Sequence, residues 1–251
     1  MLKPIGKQRV AEEIVQQLRG LILRGHYGTG DKLPPERKLA EELGVNRASL
    51  REAIKALEQM GLVKTRQGDG TRVLDFMQTA GVELVSHLVA GTADGIPSVE
   101  VLEDVLEFRR IFARDVAHMA AEKASAEDIA RLEDLAKRAE GDLNPEELLK
   151  VDFEFYLELT RAAKNRVFQL LINTVRAAVM SHAVFFAQVS PAAAVIRKHH
   201  RDVITAIKAR EADKAAKAVN DYWYKAQEMV GAMFPGRSRI VSADNKAAAA
   251  K

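Results

Sequence analysis

Leu33 to Val73 read LPPERKLAEELGVNRASLREAIKALEQMGLVKTRQGDGTRV, and this stretch decides the fold of the N-terminal part. Pro35 suits the first turn of a helix, Leu39, Ala40 and Leu43 give that helix a short apolar stripe, and Gly44 stops it. Asn46 is placed to cap a further helix whose buried stripe is Leu50, Ile54 and Leu57 and which ends at Gly61. Two short helices joined by a tight glycine turn form a helix-turn-helix. LVKTR and TRVL then read as β-type runs joined by Gln67-Gly68-Asp69-Gly70, whose glycines suit the positive φ angles of a hairpin, which predicts a wing.

The outward face of the second of these helices carries the chemistry. Residues four apart share a helix face, so Arg47 and Arg51 point the same way, opposite the Leu50, Ile54 and Leu57 stripe. A guanidinium there can bridge O6 and N7 of guanine in a major groove, whereas the plainer alternative is a pair of solvated surface charges. Asn46 and Ser49 flank that face and can bond a phosphate or a base edge. At the wing tip, Gln67, Gly68 and Gly70 let the backbone approach a minor groove, with Arg66 and Arg72 beside it, while the charge of Asp69 opposes deep insertion.

Working outward, Val10, Ile14, Leu18 and Ile22 form the stripe of an opening helix that ends at Gly25. From Asp75 onward the periodicity is helical throughout and predicts about seven helices. Marked starts stand at Ser98, at Ser125 with its S-A-E-D box, at Asn144 before Pro145 and Glu147, and at Ser190 before Pro191. The expected architecture is mostly α: a winged helix-turn-helix over residues 1–74, an antiparallel helical bundle over 75–235, and a polar, disordered tail over 236–251.

A chain of 251 residues, 47% of them hydrophobic, fits two domains. The sequence contains neither a signal-peptide pattern nor an apolar run long enough to span a bilayer, so a cytoplasmic protein without membrane partners is expected. With no cysteine, disulfides and thiolate chemistry are excluded, and His, Asp and Glu are the only plausible metal ligands. The net charge of +3 conceals an asymmetry: residues 1–73 carry 14 Lys and Arg against 9 Asp and Glu, and the remainder 24 against 26. The basic front end suits phosphate neutralisation. No nucleophile elbow, phosphate loop or dinucleotide fingerprint is present, so an enzyme is not expected.

The Leu33–Val73 stretch closely resembles the DNA-binding domain of the GntR family of bacterial repressors. The carriers are the P-x-E-R opening, the G-V-N-R-x-S-L-R-E-A turn and recognition helix, the L-x-x-x-G-L exit and the glycine-rich wing. The resemblance implies an operator-contacting arginine at Arg37 and a palindromic double-stranded operator. The C-terminal half resembles the ligand-binding domain of the FadR subfamily through EFRR (Glu107–Arg110), DFEFYLELTRAAKN (Asp152–Asn165) and HHRDVITAIKARE (His199–Glu211). TRVLDFMQTAG (Thr71–Gly81) is similar to the linker of its acyl-CoA-responsive members.

That second resemblance implies a homodimer released from DNA, as a repressor, by a small acidic metabolite or a fatty acyl-CoA. Many members hold a divalent metal with one aspartate and three histidines. Here Asp152 stands at the aspartate position and His200, or His199 in the alternative register, at one histidine, while Tyr156 and Tyr222 replace the other two. Neutral tyrosine is a poor ligand for zinc or nickel, so neither metal nor cofactor is expected. The phenols are instead expected to line the cavity, as in the acyl-CoA branch, or simply to pack in the core. Arg109 falls at the pocket arginine, with a surface ion pair to Glu103 or Glu107 as the alternative. A metal-dependent hydrolase built on Asp152 and His200 and an effector-free architectural DNA-binding protein are the two other readings.

Overall fold

A computed structural model describes residues 8–90 and 98–234; the tail expected over 236–251 lies outside the described residues. Contacts divide the chain into two units, with the division after Leu84. In the first unit the order is α1 Gln8–Leu23, α2 Glu36–Glu42, α3 Arg47–Gln59, β1 Val63–Arg66, β2 Gly70–Val73, α4 Phe76–Thr79 and a 3-10 turn at Val82–Leu84. Its core is drawn from the stripes: Ile14, Leu18 and Ile22 of α1, Leu39 of α2 and Leu50, Ile54 and Leu57 of α3 are all buried. Each such side chain contributes about 1.5–3 kcal/mol on leaving water. The two strands pair antiparallel with Val63 opposite Val73 and Arg66 opposite Gly70, and Lys32 bridges to Arg72 from the other side. Helix α4 belongs to this unit because Thr79 Oγ1 donates to the carbonyl of Gly61 at 2.6 Å.

The second unit is all helical: α5 Val85–Ala90, α6 Val99–Lys123, α7 Ala126–Ala139, α8 Pro145–Ala162, α9 Arg166–Met180, α10 Ala183–Gln188, α11 Ala193–Lys208 and α12 Ala212–Met233. The long α6 and α12 form its most extensive helix pair. From Asp75 onward the described residues hold nine α-helices, α4 to α12, against the seven or so expected, because α4, α5 and α10 are too short to show a periodicity of their own. Three of the four anticipated starts are capped as the sequence implies. Ser98 accepts from Val101 N, and Ser125 with Asp128 and Asn144 with Glu147 close full capping boxes. The fourth is different: Ser190 Oγ donates to the carbonyl of Phe186, terminating α10, and α11 begins at Ala193 after an uncapped Ala192.

A buried polar network ties α7 to the end of α8. Asp128, almost fully buried, accepts from Ser125 N at 2.8 Å, from Arg131 Nη2 at 2.5 Å and from Lys164 Nζ at 2.5 Å. Burial alone would raise its pKa, but the bonds from Lys164 and Ser125 outweigh it and hold the carboxyl at about 2. No described helix is long and apolar enough to cross a membrane.

Candidate functional site

Two regions concentrate the predicted residues, one in each unit. In the first, Asn46 caps α3, its Oδ1 accepting from Ser49 N at 2.9 Å. The cap fixes the start of the helix, so that Arg47 and Arg51 emerge exposed on one side. Ser49 does not join them: it is 7% exposed, on the inward side with Leu50 and Ala53, because three residues after the cap the helix has turned toward the core. Asn46 spends its carbonyl on the cap, which leaves its amide for an outside partner. Arg51 Nε donates to Glu36 Oε2 at 2.8 Å, linking the reading helix to the first turn of α2. Arg37, on the same first turn, is exposed and only loosely paired with Glu41 at 3.8 Å.

The wing turns at Gln67-Gly68-Asp69, with Gly68 and Gly70 at φ of 80° and 93°, where a side chain would be strained. Asp69 plays a role the sequence did not suggest. It accepts from Arg72 Nε at 2.7 Å and pairs with Lys32 at 2.5 Å, and these bonds, Arg72 first, hold its carboxyl far below the usual range. Arg72 also donates to the carbonyl of Gly30 at 2.9 Å, so its charge is committed to bracing the hairpin, while Arg66 and Gln67 remain exposed. Between the wing and the start of α2 runs a groove of about 760 Å³ lined by Lys32, Lys38, Arg66, Gly68 and Gly70.

In the helical unit, α6 presents Arg109, α8 presents Asp152 and Tyr156, α11 presents His199 and His200, and α12 presents Tyr222, and all are buried. Asp152 Oδ1 accepts from His200 Nε2 at 2.9 Å, and Phe155 stacks on the His200 ring with centroids 4.0 Å apart. His199 is not an alternative register but a second participant: its Nε2 shares a 2.7 Å hydrogen bond with the Tyr156 hydroxyl, and its ring stacks on Tyr222 at 4.1 Å. Burial, reinforced by the neighbouring His200, pushes its pKa down to about 3, so it is neutral. The two phenols are neutral as well, raised well above 10 by burial first and by Asp152 second.

Arg109 is 6% exposed, and the surface ion pair with Glu103 or Glu107 is not made. Its guanidinium lies instead 4.0 Å from the ring centroid of Trp223 and 5.0 Å from that of Phe153. Burial lowers its pKa, with Asp152 the largest opposing influence, yet a guanidinium stays charged. Among the described residues no carboxylate forms an ion pair with it. Two cavities of about 20 and about 10 Å³ flank the group; Trp223 lines both.

The metal implied by the subfamily resemblance does not fit this donor set. Asp152 is engaged by His200, His199 by Tyr156, and the phenols are neutral; among the described residues no group of three or more His, Asp or Glu is placed to hold a cation. Trp223 and Phe153 were missed by the sequence reading. Trp223 follows Tyr222 directly, and the signal that it faces inward with Tyr222 was available only once α12 was packed against α6.

Comparison with known proteins accounts for both regions. Residues 10–73 match the family described as bacterial regulatory proteins, gntR family, and residues 104–224 match the FCD domain. The HTH-type transcriptional regulator Mce2R of Mycobacterium tuberculosis is 33% identical over 220 residues, covering 88% of this chain and 91% of that protein. LutR of Bacillus subtilis, also an HTH-type transcriptional regulator, is 35% identical over 160 residues, 62% of this chain and 68% of that protein. The solved structure of Lar, which controls expression of the Listeria monocytogenes agr system, shares the fold with a TM-score of 0.58 at 17% identity, covering 93% of this chain and 100% of that one. The chain therefore belongs to the gntR family of bacterial regulatory proteins, as a winged helix-turn-helix transcription regulator carrying an FCD domain and not an enzyme.

Proposed function

We propose that this regulator is a cytoplasmic repressor that binds a palindromic operator as a homodimer and leaves it when the helical unit takes up a small organic acid. In this reading Arg47 and Arg51 read base edges, Arg37 and Asn46 hold phosphates, and Arg66, Gln67, Gly68 and Gly70 bring the wing to the minor groove. Ser49 acts only through its backbone N–H, which fastens the cap. The exposure of the arginines, and a groove beside the wing in which Lys32, Lys38 and Arg66 outnumber Glu36 and Asp69, support this division.

The observation that carries the effector half is Arg109: a cation only 6% exposed, held by two π faces, with Asp152 acting on it through space but no carboxylate ion-paired to it among the described residues. Burying a charge without an ionic partner is costly, and an incoming carboxylate supplies one. Asp152 and Tyr222 line one of the cavities beside it and Tyr156 the other, while His200 holds Asp152 from behind. Cavities of about 20 and about 10 Å³ hold about one water each, so any effector must part the helices; a short carboxylate asks for far less displacement than a fatty acyl-CoA, whose chain needs a pocket of hundreds of Å³. Close packing is also what an effector-free architectural protein would show, and the unpaired guanidinium is the feature that speaks against that alternative.

Dimerisation is supported by an exposed apolar set on α6 and α9. Phe108 and Ile111 lie open beside Val167 and Leu170, the last 70% exposed, and half-buried Phe112 links the two helices by stacking on Phe108 and meeting Phe168 edge-on. The test is operator release, followed by fluorescence anisotropy as short carboxylates are added to wild type and Arg109→Ala. Release from wild type with a sensitivity lost in the variant is expected; equal sensitivity removes Arg109 from the pocket.

A further inference from the structure

We propose that Trp223 is a direct effector ligand: its indole Nε1–H donates to one oxygen of the effector's carboxylate while Arg109 holds the other. This rests on the reading of Arg109 as the anion anchor and extends it to a second donor and to the shape of the bound group. The Trp223 side chain is 4% exposed, and its Nε1 is buried without a hydrogen-bond partner. A buried N–H that finds no acceptor is uncommon in folded proteins and calls for a reason. Here the orphan donor stands beside a guanidinium without an ionic partner, the two groups stacked with Arg109 Cζ 4.0 Å from the indole centroid.

The stacking sets the geometry. With Arg109 Cζ 4.0 Å from the indole centroid, the guanidinium N–H groups and Nε1–H lie close enough to be shared by one small anion. A planar carboxylate approaching the shared edge meets a donor on each oxygen, an arrangement resembling bidentate recognition but divided between two side chains. Both residues line the cavity bounded by Leu106, Leu149 and Phe186 and the one bounded by Ala113, Thr160 and Ile172. The rest of the lining is mixed, with Asp152, Ser190 and Tyr222 on one side and Tyr156 and Thr160 on the other among the apolar residues, and it offers no second cation for a phosphate. The competing acceptor inside the protein is the Tyr156 oxygen, whose ring lies 5.4 Å from that of Trp223. That hydroxyl is already bonded to His199; the indole N–H lies near enough to favour its ionised form slightly, but the two do not meet in hydrogen-bond geometry.

Trp223 is the only tryptophan in the chain, so the full-length protein reports on this group without modification. A ¹⁵N-labelled sample shows a single indole Nε1–H resonance, to be followed as acetate, glycolate, succinate and, separately, inorganic phosphate are added. Saturable downfield movement with a carboxylate, and none with phosphate, is expected. Trp223→Phe keeps a ring under Arg109 but lacks the N–H, and calorimetry should find its affinity for the best probe lowered on the order of 10-fold. If the probe binds wild type but the resonance stays fixed, or if Trp223→Phe binds equally well while Arg109→Ala does not, the indole is only a stacking platform and the proposal fails while the anchor stands. If no carboxylate binds wild type, both fall. Saturable movement of the resonance with phosphate would overturn the planar-carboxylate assignment.

Discussion

Replacing Gly61 with alanine should destabilise the reading head by about 2–5 kcal/mol, with the larger share from the linker rather than from the turn. Gly61 sits at φ 71°, where an L side chain costs about 1–2 kcal/mol. A Cβ there would also lie 2.3 Å from the carbonyl oxygen of Thr79 and 3.0 Å from Ala80 Cα, both backbone atoms of the segment that folds back after the wing. Backbone cannot swing aside as a side-chain tip can, so relief requires α4 to lift off, breaking the 2.6 Å bond from Thr79 Oγ1 to the Gly61 carbonyl; overpacking of this kind typically costs a further 1–3 kcal/mol. Gly44 provides the control: its φ is 64°, but nothing lies within 4 Å of the added Cβ, so Gly44→Ala should show the backbone penalty alone. Urea unfolding of the two variants, read by hydrogen exchange on α3 amides, separates the contributions. Equal losses for Gly61→Ala and Gly44→Ala would refute the claim that the linker is packed against the end of the recognition helix.

Arg51→Ala should weaken specific operator binding by about 1–3 kcal/mol per half-site and relax the base preference at one position; an equal loss on random DNA would make Arg51 a phosphate-positioning residue. Asp69→Ala should release Lys32 and Arg72 from their shared carboxylate, so binding to random DNA should tighten and its dependence on salt steepen. An unchanged salt slope would show that neither cation reaches DNA. The helical unit should lose stability in acid, because His199 is neutral in the fold with a pKa of about 3, whereas the unfolded chain takes up a proton below about 6.5. The contribution is complete above that value and declines by up to about 1.4 kcal/mol per pH unit as pH falls through 6 and 5. His199→Gln should flatten this slope, and a wild type equally stable at pH 7 and 5 would contradict it.

The reading head was legible because its determinants are local. The stripe of Leu50, Ile54 and Leu57, the Asn46 cap and the two wing glycines each lie within a few residues of what they control, and the structure keeps them all. Ser49 illustrates the limit: placed beside the arginines by sequence proximity, it turns inward once the exact start of α3 is fixed. Asp69 illustrates another. Its charge counted against wing insertion while its partners were unknown, and Lys32, one of them, is brought near by the bridge to Arg72 rather than by any local pattern.

The interior of the helical unit was legible only as a set of names. Asp152, His200 and Arg109 were marked by resemblance, and the replacement of two histidines by Tyr156 and Tyr222 suggested phenols turned toward a cavity. In the fold Tyr222 lines one of the two small cavities and Tyr156 the other, and both also close on His199, one by stacking and one by hydrogen bond, so a residue considered only as a shifted His200 becomes the piece between them. The exchange has an electrostatic consequence. With His199 and both phenols neutral, Arg109 is a buried cation beside Asp152 with an unpaired indole N–H next to it. On the proposed reading, such a site prefers a planar acid that meets Arg109 and Trp223 at their shared edge. That preference depends on contacts between α6 and α12, far apart in sequence, and therefore could not be read from either segment alone.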